Sequence, residues 1–411
     1  MNYLIPFVLA ALGTSIPSPA ERSIHSATTW IEKNPESYQA QNALALAFAR
    51  RARETADPRY YEKAFSALDA SLRLSPDNFE ASRVRAFLYL GKHEFAKALE
   101  EASSLNRRAP DDLLTYALLV DANIELGNYA EAEEAAEWLL DMRPGNIPGM
   151  TRGAYLRELF GDVDGALEWM AVAYDQTPST DLEDLAWIRT QMAHLELSRG
   201  KRDEAEHYLS EALTLFPGYH YALAELGKVR IAQERHAEAA AVLLERYRTA
   251  PHPENRYDLA VALSLAGERE EAEAEFADFE REALAESDSV DNANLELVFY
   301  YADRASKPEA ALAIASKEIE RRRDVFTREA LAWALYRSGR TEAARAEIEA
   351  ALAVGIRNAR MLHHAGAICA AAGDGGSAAR YFKESLSANP YSPVASEARD
   401  SLRALGSVVA P

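Results

Sequence analysis

The chain has 411 residues, and its 65 Asp and Glu against 45 Lys and Arg give a formal net charge of −20. This length exceeds that of most single compact domains and predicts either several domains or a repeat array. The carboxylate excess argues against nucleic-acid binding, which needs a basic surface. The single cysteine, Cys369, can form neither an internal disulfide nor a thiolate metal site by itself.

The first twenty residues contain no Lys, Arg, Asp or Glu. Their apolar run, Leu4 to Leu12, is too short to span a bilayer but has the length of a signal-peptide core. Ser18 and Ala20 supply the small residues that a signal peptidase needs, although no basic residue precedes the run and a proline interrupts it. Residues 1–20 are therefore predicted to be a signal peptide cleaved after Ala20. The mature protein would be secreted or periplasmic, without a transmembrane span; otherwise the protein is cytoplasmic.

From residue 37 onward one pattern recurs about every 34 residues. It consists of a Gly, a few polar residues and a closing Ala, as in GNYAEA at 127–132. We place the closing alanines at Ala64, Ala98, Ala132, Ala166, Ala205, Ala239, Ala272, Ala310, Ala344 and Ala378. A proline follows twelve residues later in most units, at Pro76, Pro110, Pro144, Pro178, Pro217, Pro251 and Pro390. Such a period, split by Gly and closed by Pro, predicts paired antiparallel amphipathic helices stacked in a row.

This repeat resembles the tetratricopeptide repeat family over roughly residues 37–390. The likeness is carried by slots such as the turn Leu126-Gly127-Asn128-Tyr129, Ala132 and Pro144. The resemblance implies an all-α, right-handed superhelical solenoid of about ten stacked antiparallel helix pairs. Insertions are expected around residues 55–60 and 180–185, where the spacing is longer than in the other units.

Two further helices are expected to flank the array. Residues 21–36 would form a leading helix whose Trp30 packs on the first unit. Residues 391–411 would form a capping helix and a frayed tail, because Val394, Ala395, Ala398 and Leu402 follow Ser392 and a proline at helical spacing. Such a cap covers the apolar face of the last unit, which a solenoid needs for solubility.

No catalytic constellation stands out in the sequence. It has neither a phosphate-binding Gly-rich loop closed by Lys and Ser/Thr nor a Gly-x-Ser-x-Gly elbow. His363 and His364 are adjacent, so on a helix they diverge by about 100° and cannot jointly hold a metal; we expect both at a helix surface. Cys369 is expected to be a small buried side chain, and the acidic residues are expected mostly on solvated faces. The sequence therefore predicts no enzyme, no cofactor and no metal.

In the tetratricopeptide repeat family, the first helices of successive units line a concave groove. The side chains opposite each first helix's packing stripe are aromatic or basic in most units, a combination typical of peptide-binding surfaces. The alternative for each aromatic is a place in the core between repeats. Trp333 and Arg337, four apart on one face, are the pair we consider first. The candidate groove residues are Arg83, Phe87, Arg152, Tyr155, Trp187, His194, Tyr221, Lys228, Tyr257, Phe299, Trp333 and Arg337.

Two functions of different class remain open. The first is a non-catalytic, exported scaffold or adaptor that binds a protein or peptide in the concave groove. The second is an envelope receptor or assembly factor whose groove binds a glycan or a lipid-linked ligand on aromatic platforms such as Trp187 and Tyr221. The family's clamp for chaperone tails uses a Lys/Asn set, and the corresponding slots hold Arg83, Phe87 and Leu118, so that ligand is not expected.

Overall fold

The computed structural model describes residues 17–406, and every regular element in that range is an α-helix. The predicted signal-peptide core, Leu4 to Leu12, lies outside the described residues. Helix α1 covers Pro19–Lys33 and α22 covers Ala395–Ala404. Between them ten helix pairs, which we number units 1 to 10, form the predicted solenoid of stacked repeats.

The first helices of the units are α2 (Tyr38–Thr55), α4 (Phe79–Gly91), α6 (Leu113–Glu125), α8 (Ile147–Leu159), α10 (Leu182–Ser198), α12 (His220–Ala232), α14 (Pro253–Ala266), α16 (Asn294–Asp303), α18 (Val325–Arg337) and α20 (Ala359–Ala371). The second helices are α3 (Arg59–Leu74), α5 (Phe95–Arg108), α7 (Tyr129–Met142), α9 (Val163–Gln176), α11 (Arg202–Leu215), α13 (His236–Thr249), α15 (Arg269–Glu286), α17 (Pro308–Arg321), α19 (Thr341–Leu352) and α21 (Gly375–Ala388).

The closing alanines are the best-buried positions of the repeat. All those placed from the sequence are at most 2% exposed except Ala310, which is partly exposed while the next residue, Ala311, is fully buried. The predicted register is thus wrong by one residue in unit 8. There Ser306, with a φ of 52°, occupies the left-handed turn position, and Ala311 stands five residues after it. A buried methyl group at this slot lets the two helices of a unit approach closely.

The predicted prolines end the second helices. Each of the seven stands two residues after the last helical residue, as Pro144 does after Met142. This spacing is expected because proline lacks the N–H that continues a helix and disfavours the helical conformation of the residue before it.

Most first helices pack on the first helices of the neighbouring units as well as on their own partners, as in α2 with α4, α4 with α6 and α18 with α20. The first helices therefore form the inner wall of the solenoid and the second helices its outer wall. This arrangement places the predicted groove positions, all of which lie on first helices, on the inner side.

The flanking helices differ in part from expectation. Helix α1 starts at Pro19, with a capping box between Ser18 and Glu21, and packs on α2 through Ala20 and Ala27. Trp30, which was expected to pack on the first unit, is 44% exposed. Helix α22 packs on α21, and the predicted Ala395, Ala398 and Leu402 are its buried residues. None of the described helices is long and apolar enough to cross a membrane.

A feature that the repeat pattern does not predict is contact between successive turns of the superhelix. The turn inside unit 3 meets the link between units 8 and 9: the backbone N–H of Arg323 donates to the carbonyl of Glu125 (2.9 Å), and that of Val325 donates to the Tyr129 hydroxyl (2.9 Å). The turn inside unit 5 meets the link after unit 10, where Asn389 Nδ2 donates to the carbonyl of Leu197 (2.8 Å). We call this line of contacts the seam.

The turn glycines show how closely the seam is packed. Gly161 of unit 4, with φ +86°, faces the link between units 9 and 10 so closely that an added Cβ would lie 2.6 Å from the carbonyl oxygen of Gly355. Gly267 occupies the same turn position in unit 7 with the same φ, and an added Cβ would meet nothing within 4 Å. Gly267 is therefore needed only for its backbone conformation. Gly161 is needed for its backbone conformation and also because the seam leaves no room for a side chain.

The substitutions Gly161→Ala and Gly267→Ala separate these two roles. Both should cost about 1–2 kcal/mol of unfolding free energy, because an L-residue is strained at this φ. Only Gly161→Ala should add about 1–3 kcal/mol for the clash across the seam and increase the radius of gyration in small-angle X-ray scattering. Equal unfolding free energies and unchanged scattering in both variants would contradict the seam.

Candidate partner-binding cleft

Ion pairs join successive first helices on the inner wall. In the N-terminal half, Arg83 Nη1 lies 2.7 Å from Asp112 Oδ1, and Arg152 Nη2 lies 2.6 Å from Asp121 Oδ2. Arg152 also donates from Nε to the carbonyl of Ala117 (3.0 Å). These two predicted groove residues are thus engaged within the wall and hold neighbouring units in register.

His194 connects three first helices. Its Nε2 lies 2.8 Å from Glu158 Oε1 of α8, and its Nδ1 lies 3.6 Å from Glu225 Oε2 of α12. Burial disfavours the charged ring, but the two carboxylates outweigh burial and raise the pKa of His194 to about 10. The Nζ of Lys228 donates to Glu225 (2.7 Å), and this pairing raises the pKa of the lysine.

In the C-terminal half two arginines pair with carboxylates of first helices, Arg246 from the second helix α13 and Arg360 from the first helix α20. Arg246, 5% exposed, binds both Glu254 (3.0 Å) and Asp258 of α14. Arg360 forms a bidentate pair with Glu329, a fully buried carboxylate, at 3.0 and 2.9 Å. Burial opposes ionisation of Glu329, but Arg360 and the neighbouring His364 lower its pKa to about 2.

The inner wall of units 6 to 10 encloses a cleft of about 1020 Å³, closed at one side by α22. Predicted groove residues contribute Lys228, Tyr257, Phe299, Trp333 and Arg337 to this one cleft. Beside them the lining includes Leu295, Phe326, Tyr336, Arg360, His363 and His364, and the carboxylates Glu254, Asp258, Glu296, Asp303, Glu397 and Asp400.

Trp333 belongs to the cleft wall and to the core at once. It is 8% exposed, its ring stacks on His364 with 3.9 Å between centroids, and its Nε1 donates to Asp303 (2.9 Å). Arg337 pairs with the same Asp303. The pair that we considered first therefore shapes the cleft, but truncating Trp333 would also remove core packing, at a cost of about 3–5 kcal/mol.

The other predicted groove residues lie outside this cleft. Phe87 and Trp187 pack against the cores between units, the alternative that the sequence left open. Tyr155 packs against the main core, and Tyr221, 38% exposed, contacts the ring of His220 at 4.0 Å. These four aromatics stand apart from the five residues that the cleft brings together.

The expectation that His363 and His364 lie at a helix surface is wrong. They are 6% and 5% exposed, because His364 lies between Trp333 and Glu329 and His363 packs on Phe382. Most described acidic residues are exposed or partly exposed, as expected, but a few are buried, among them Glu183, which is fully buried and bound by Arg53. Cys369 is fully buried, as predicted, and burial raises the pKa of its thiol.

The carboxylates of the cleft were missed from the sequence. Glu254, Asp258 and Glu296 sit on first helices, like the predicted aromatics, but the sequence has too many acidic residues for any of them to stand out. Residues 17–406 contain no group of three or more His, Cys, Asp or Glu placed to hold a metal ion.

Comparison with known proteins identifies the repeat. The family model for the tetratricopeptide repeat matches residues 117–180, 190–253 and 329–393. These segments are tetratricopeptide repeats. Unit 3 to unit 6 and units 9 and 10 thus carry the family's sequence pattern, while the remaining units share its helix pairing. No curated protein sequence matches the chain significantly.

Several solved structures are similar to parts or most of this chain. TTC0263, a thermophilic tetratricopeptide repeat protein of Thermus thermophilus, is 24% identical with a TM-score of 0.38, over 44% of this chain and 92% of that one. A tetratricopeptide repeat protein from Parabacteroides merdae is 19% identical with a TM-score of 0.44, over 58% and 91%. The human IFIT1 dimer with PPP-AAAA is 14% identical with a TM-score of 0.50, over 89% and 86%. At these identities the likeness concerns the fold alone.

The inner-wall contacts predict opposite protonation states for two histidines. At pH 7 to 8 His194, held by Glu158 and Glu225, should be an imidazolium, whereas burial lowers the pKa of His363 to about 4 and should leave its ring neutral. Long-range ¹H–¹⁵N spectra of the imidazole nitrogens measure both states directly. A neutral His194 ring at pH 8 would contradict the three-helix connection.

Because the folded pKa of His194 is raised, its contribution to stability should be complete below its unfolded pKa near 6.5 and lost as the pH rises through about 10. His194→Gln should therefore be less stable than the native chain at pH 6, and the difference should shrink by pH 10.5. A difference that grows with pH would contradict this assignment.

Proposed function

We propose that the protein is a non-catalytic scaffold that binds a segment of a partner protein in the cleft of units 6 to 10. The observation that carries the proposal is the concentration of aromatic and charged side chains from the first helices of units 6 to 10 and from α22 around one cavity of about 1020 Å³. Large rigid rings beside arginines are the side chains that contribute most to peptide recognition. Tetratricopeptide repeats are in general protein-interaction modules, which supports a protein partner as well.

Rigid display is the mechanism that the contacts support. Arg337 and Arg360, which line the cleft, are each held by a carboxylate, and Trp333 is fixed by a stack and a hydrogen bond. A wall whose rotamers are already fixed loses little conformational entropy on binding, so more of the contact energy contributes to affinity.

Export belongs to the proposal as well. It rests on the apolar run Leu4 to Leu12 and on the small residues Ser18 and Ala20. Cleavage after Ala20 would remove Ser18 and Ala20, both of which donate hydrogen bonds to Glu54 (2.5 and 2.9 Å). The mature chain would then depend on Arg51 alone to pair Glu54, which is 4% exposed.

Photo-crosslinking in the native cell tests both parts of the proposal. A photoreactive benzoylphenylalanine in place of Phe299 keeps an aromatic ring at a half-buried cleft position, and the same residue at the exposed Trp30 serves as the control. A discrete protein adduct from position 299 and none from position 30 is expected. A mass spectrum of the adduct should show a chain that starts at Glu21.

Three results would contradict the proposal. An adduct without peptide would favour the glycan or lipid-linked ligand, and the absence of any adduct would remove the cleft as the binding site. An intact Met1 would contradict export with cleavage after Ala20.

A further inference from the structure

The cleft has an excess of carboxylates that the protein itself does not neutralise. Of its four Lys and Arg side chains, three are paired with carboxylates that do not line the cleft: Lys228 with Glu225, Arg322 with Glu125, and Arg360 with Glu329. Only Arg337 pairs with a lining carboxylate, Asp303. Of the other lining carboxylates, Asp400 pairs with Arg403 of the same helix, so the field inside the cleft is set by Glu254, Asp258, Glu296 and Glu397.

Three of these carboxylates lie together. Glu254 and Asp258 of α14 share the single cation of Arg246. Glu296, in the first turn of α16, has no hydrogen-bond or ion-pair partner among side chains of residues 17–406. This cluster therefore has three carboxyl groups and one bound arginine, next to the rings of Tyr257 and Phe299.

A second unsatisfied group lines the same cleft. His363 is 6% exposed, its Nδ1 has no hydrogen-bond partner in the described part of the chain, and its Nε2 is 3.8 Å from Glu397 Oε2. A buried polar atom without a partner is unusual in a folded protein. Besides Glu296, the cleft wall thus contains a buried ring with one nitrogen that the described residues leave without a partner.

We infer that the cleft selects partner segments that carry a lysine or arginine, whose cationic group binds Glu296 near Glu254 and Asp258 while its aliphatic stem packs on Tyr257 and Phe299. This inference rests on the proposed function and adds the chemistry of the partner. The acidic cleft favours a partner with a cationic side chain. The carboxylates and the aromatic faces both attract the positive charge, and the aromatic faces also pack against the methylene groups of the lysine or arginine.

The protonation of Glu296 provides a specific signature. Burial, with Glu254 and Asp258 adding to it, raises the pKa of Glu296 to about 8. A bound cation favours the ionised carboxylate, so binding at pH 7 should release a proton, and affinity should increase as the pH rises from 6 to 8. Of the cations, Arg360 on α20 acts on Glu296 and opposes this rise of its pKa, while Lys228 on α12 and His364 on α20 line the same cleft.

The test begins with a library of random twelve-residue peptides displayed on phage and selected on the immobilised full chain. The expected result is enrichment of Lys or Arg next to aromatic or aliphatic residues. One selected peptide is then synthesised, and its Kd is measured by calorimetry at pH 6, 7 and 8, in two buffers of different ionisation enthalpy to count released protons.

Glu296→Gln should weaken binding of this peptide by about tenfold or more, abolish proton release and flatten the pH profile. The matched control is Glu309→Gln, at an exposed ion pair with Arg340 on the outer wall. It should leave the peptide affinity, the proton release and the pH profile unchanged. Replacing the peptide's basic residue by norleucine should weaken binding to the native chain and not to the Glu296→Gln variant.

The outcomes separate this inference from the proposed function. Peptides without a basic residue that compete with crosslinking at Phe299 would overturn the inference and leave the peptide-binding cleft intact. Basic peptides whose affinity is the same for the native chain and Glu296→Gln would also overturn it. No selected peptide at all, in repeated selections, would contradict both the inference and the proposed function.

Discussion

The contacts between successive turns of the superhelix determine the shape of this molecule. In most solenoids each repeat touches only its neighbours, and the stability is a sum of local terms. Here hydrogen bonds join residues 192 and 196 positions apart, and the turn of unit 4 meets the link after unit 9 through two glycines. The array is therefore closed on itself, and its curvature is set by a tertiary contact as well as by the stacking of adjacent helices.

This closure explains the polarity of the inner wall. A tightly curved array brings its first helices close together, so that inner charged side chains lose water and need partners. Glu183 and Glu329 are fully buried and each is bound by arginine, and His194 lies between two carboxylates. Removing one partner of such a pair costs more than the pair contributes, because the remaining charge stays buried. These buried pairs therefore fix which helices lie next to each other and also make the inner wall rigid.

The same chemistry accounts for the cleft. Arginines of the cleft such as Arg360 pair with carboxylates that do not line it, so the lining carboxylates are in excess. Glu296 in particular has no side-chain partner in the described part of the chain. Trp333 and His364 stack along one side and Phe299 lies beneath Arg360, with the guanidinium 4.6 Å from the ring centroid. An acidic, aromatic cavity with fixed walls is suited to the partner recognition that we propose.

The features that could be predicted from the sequence are those that a single helix pair determines. Ala132 and Pro144 recur because each unit must pack its own two helices and then end, and both constraints are local. The repeat pattern places a turn glycine five residues before Ala166, at Gly161, but the contact of Gly161 with Gly355 spans five intervening units and leaves no mark in the local pattern. Burial of His363 and isolation of Glu296 follow from the curvature, which is why the helix faces were predicted and the charged cleft was not.

The most direct test of the closed superhelix is a distance measured across the seam. Spin labels at cysteines replacing the exposed Asp164, three residues from Gly161, and the exposed Ala353, two residues from Gly355, report it by double electron–electron resonance. The native Cys369 thiol is fully buried and stays unlabelled. We predict one narrow distribution, since the two backbone sites can be no more than about 25 Å apart at this spacing. A broad distribution centred well beyond that length would show an open solenoid and contradict the account.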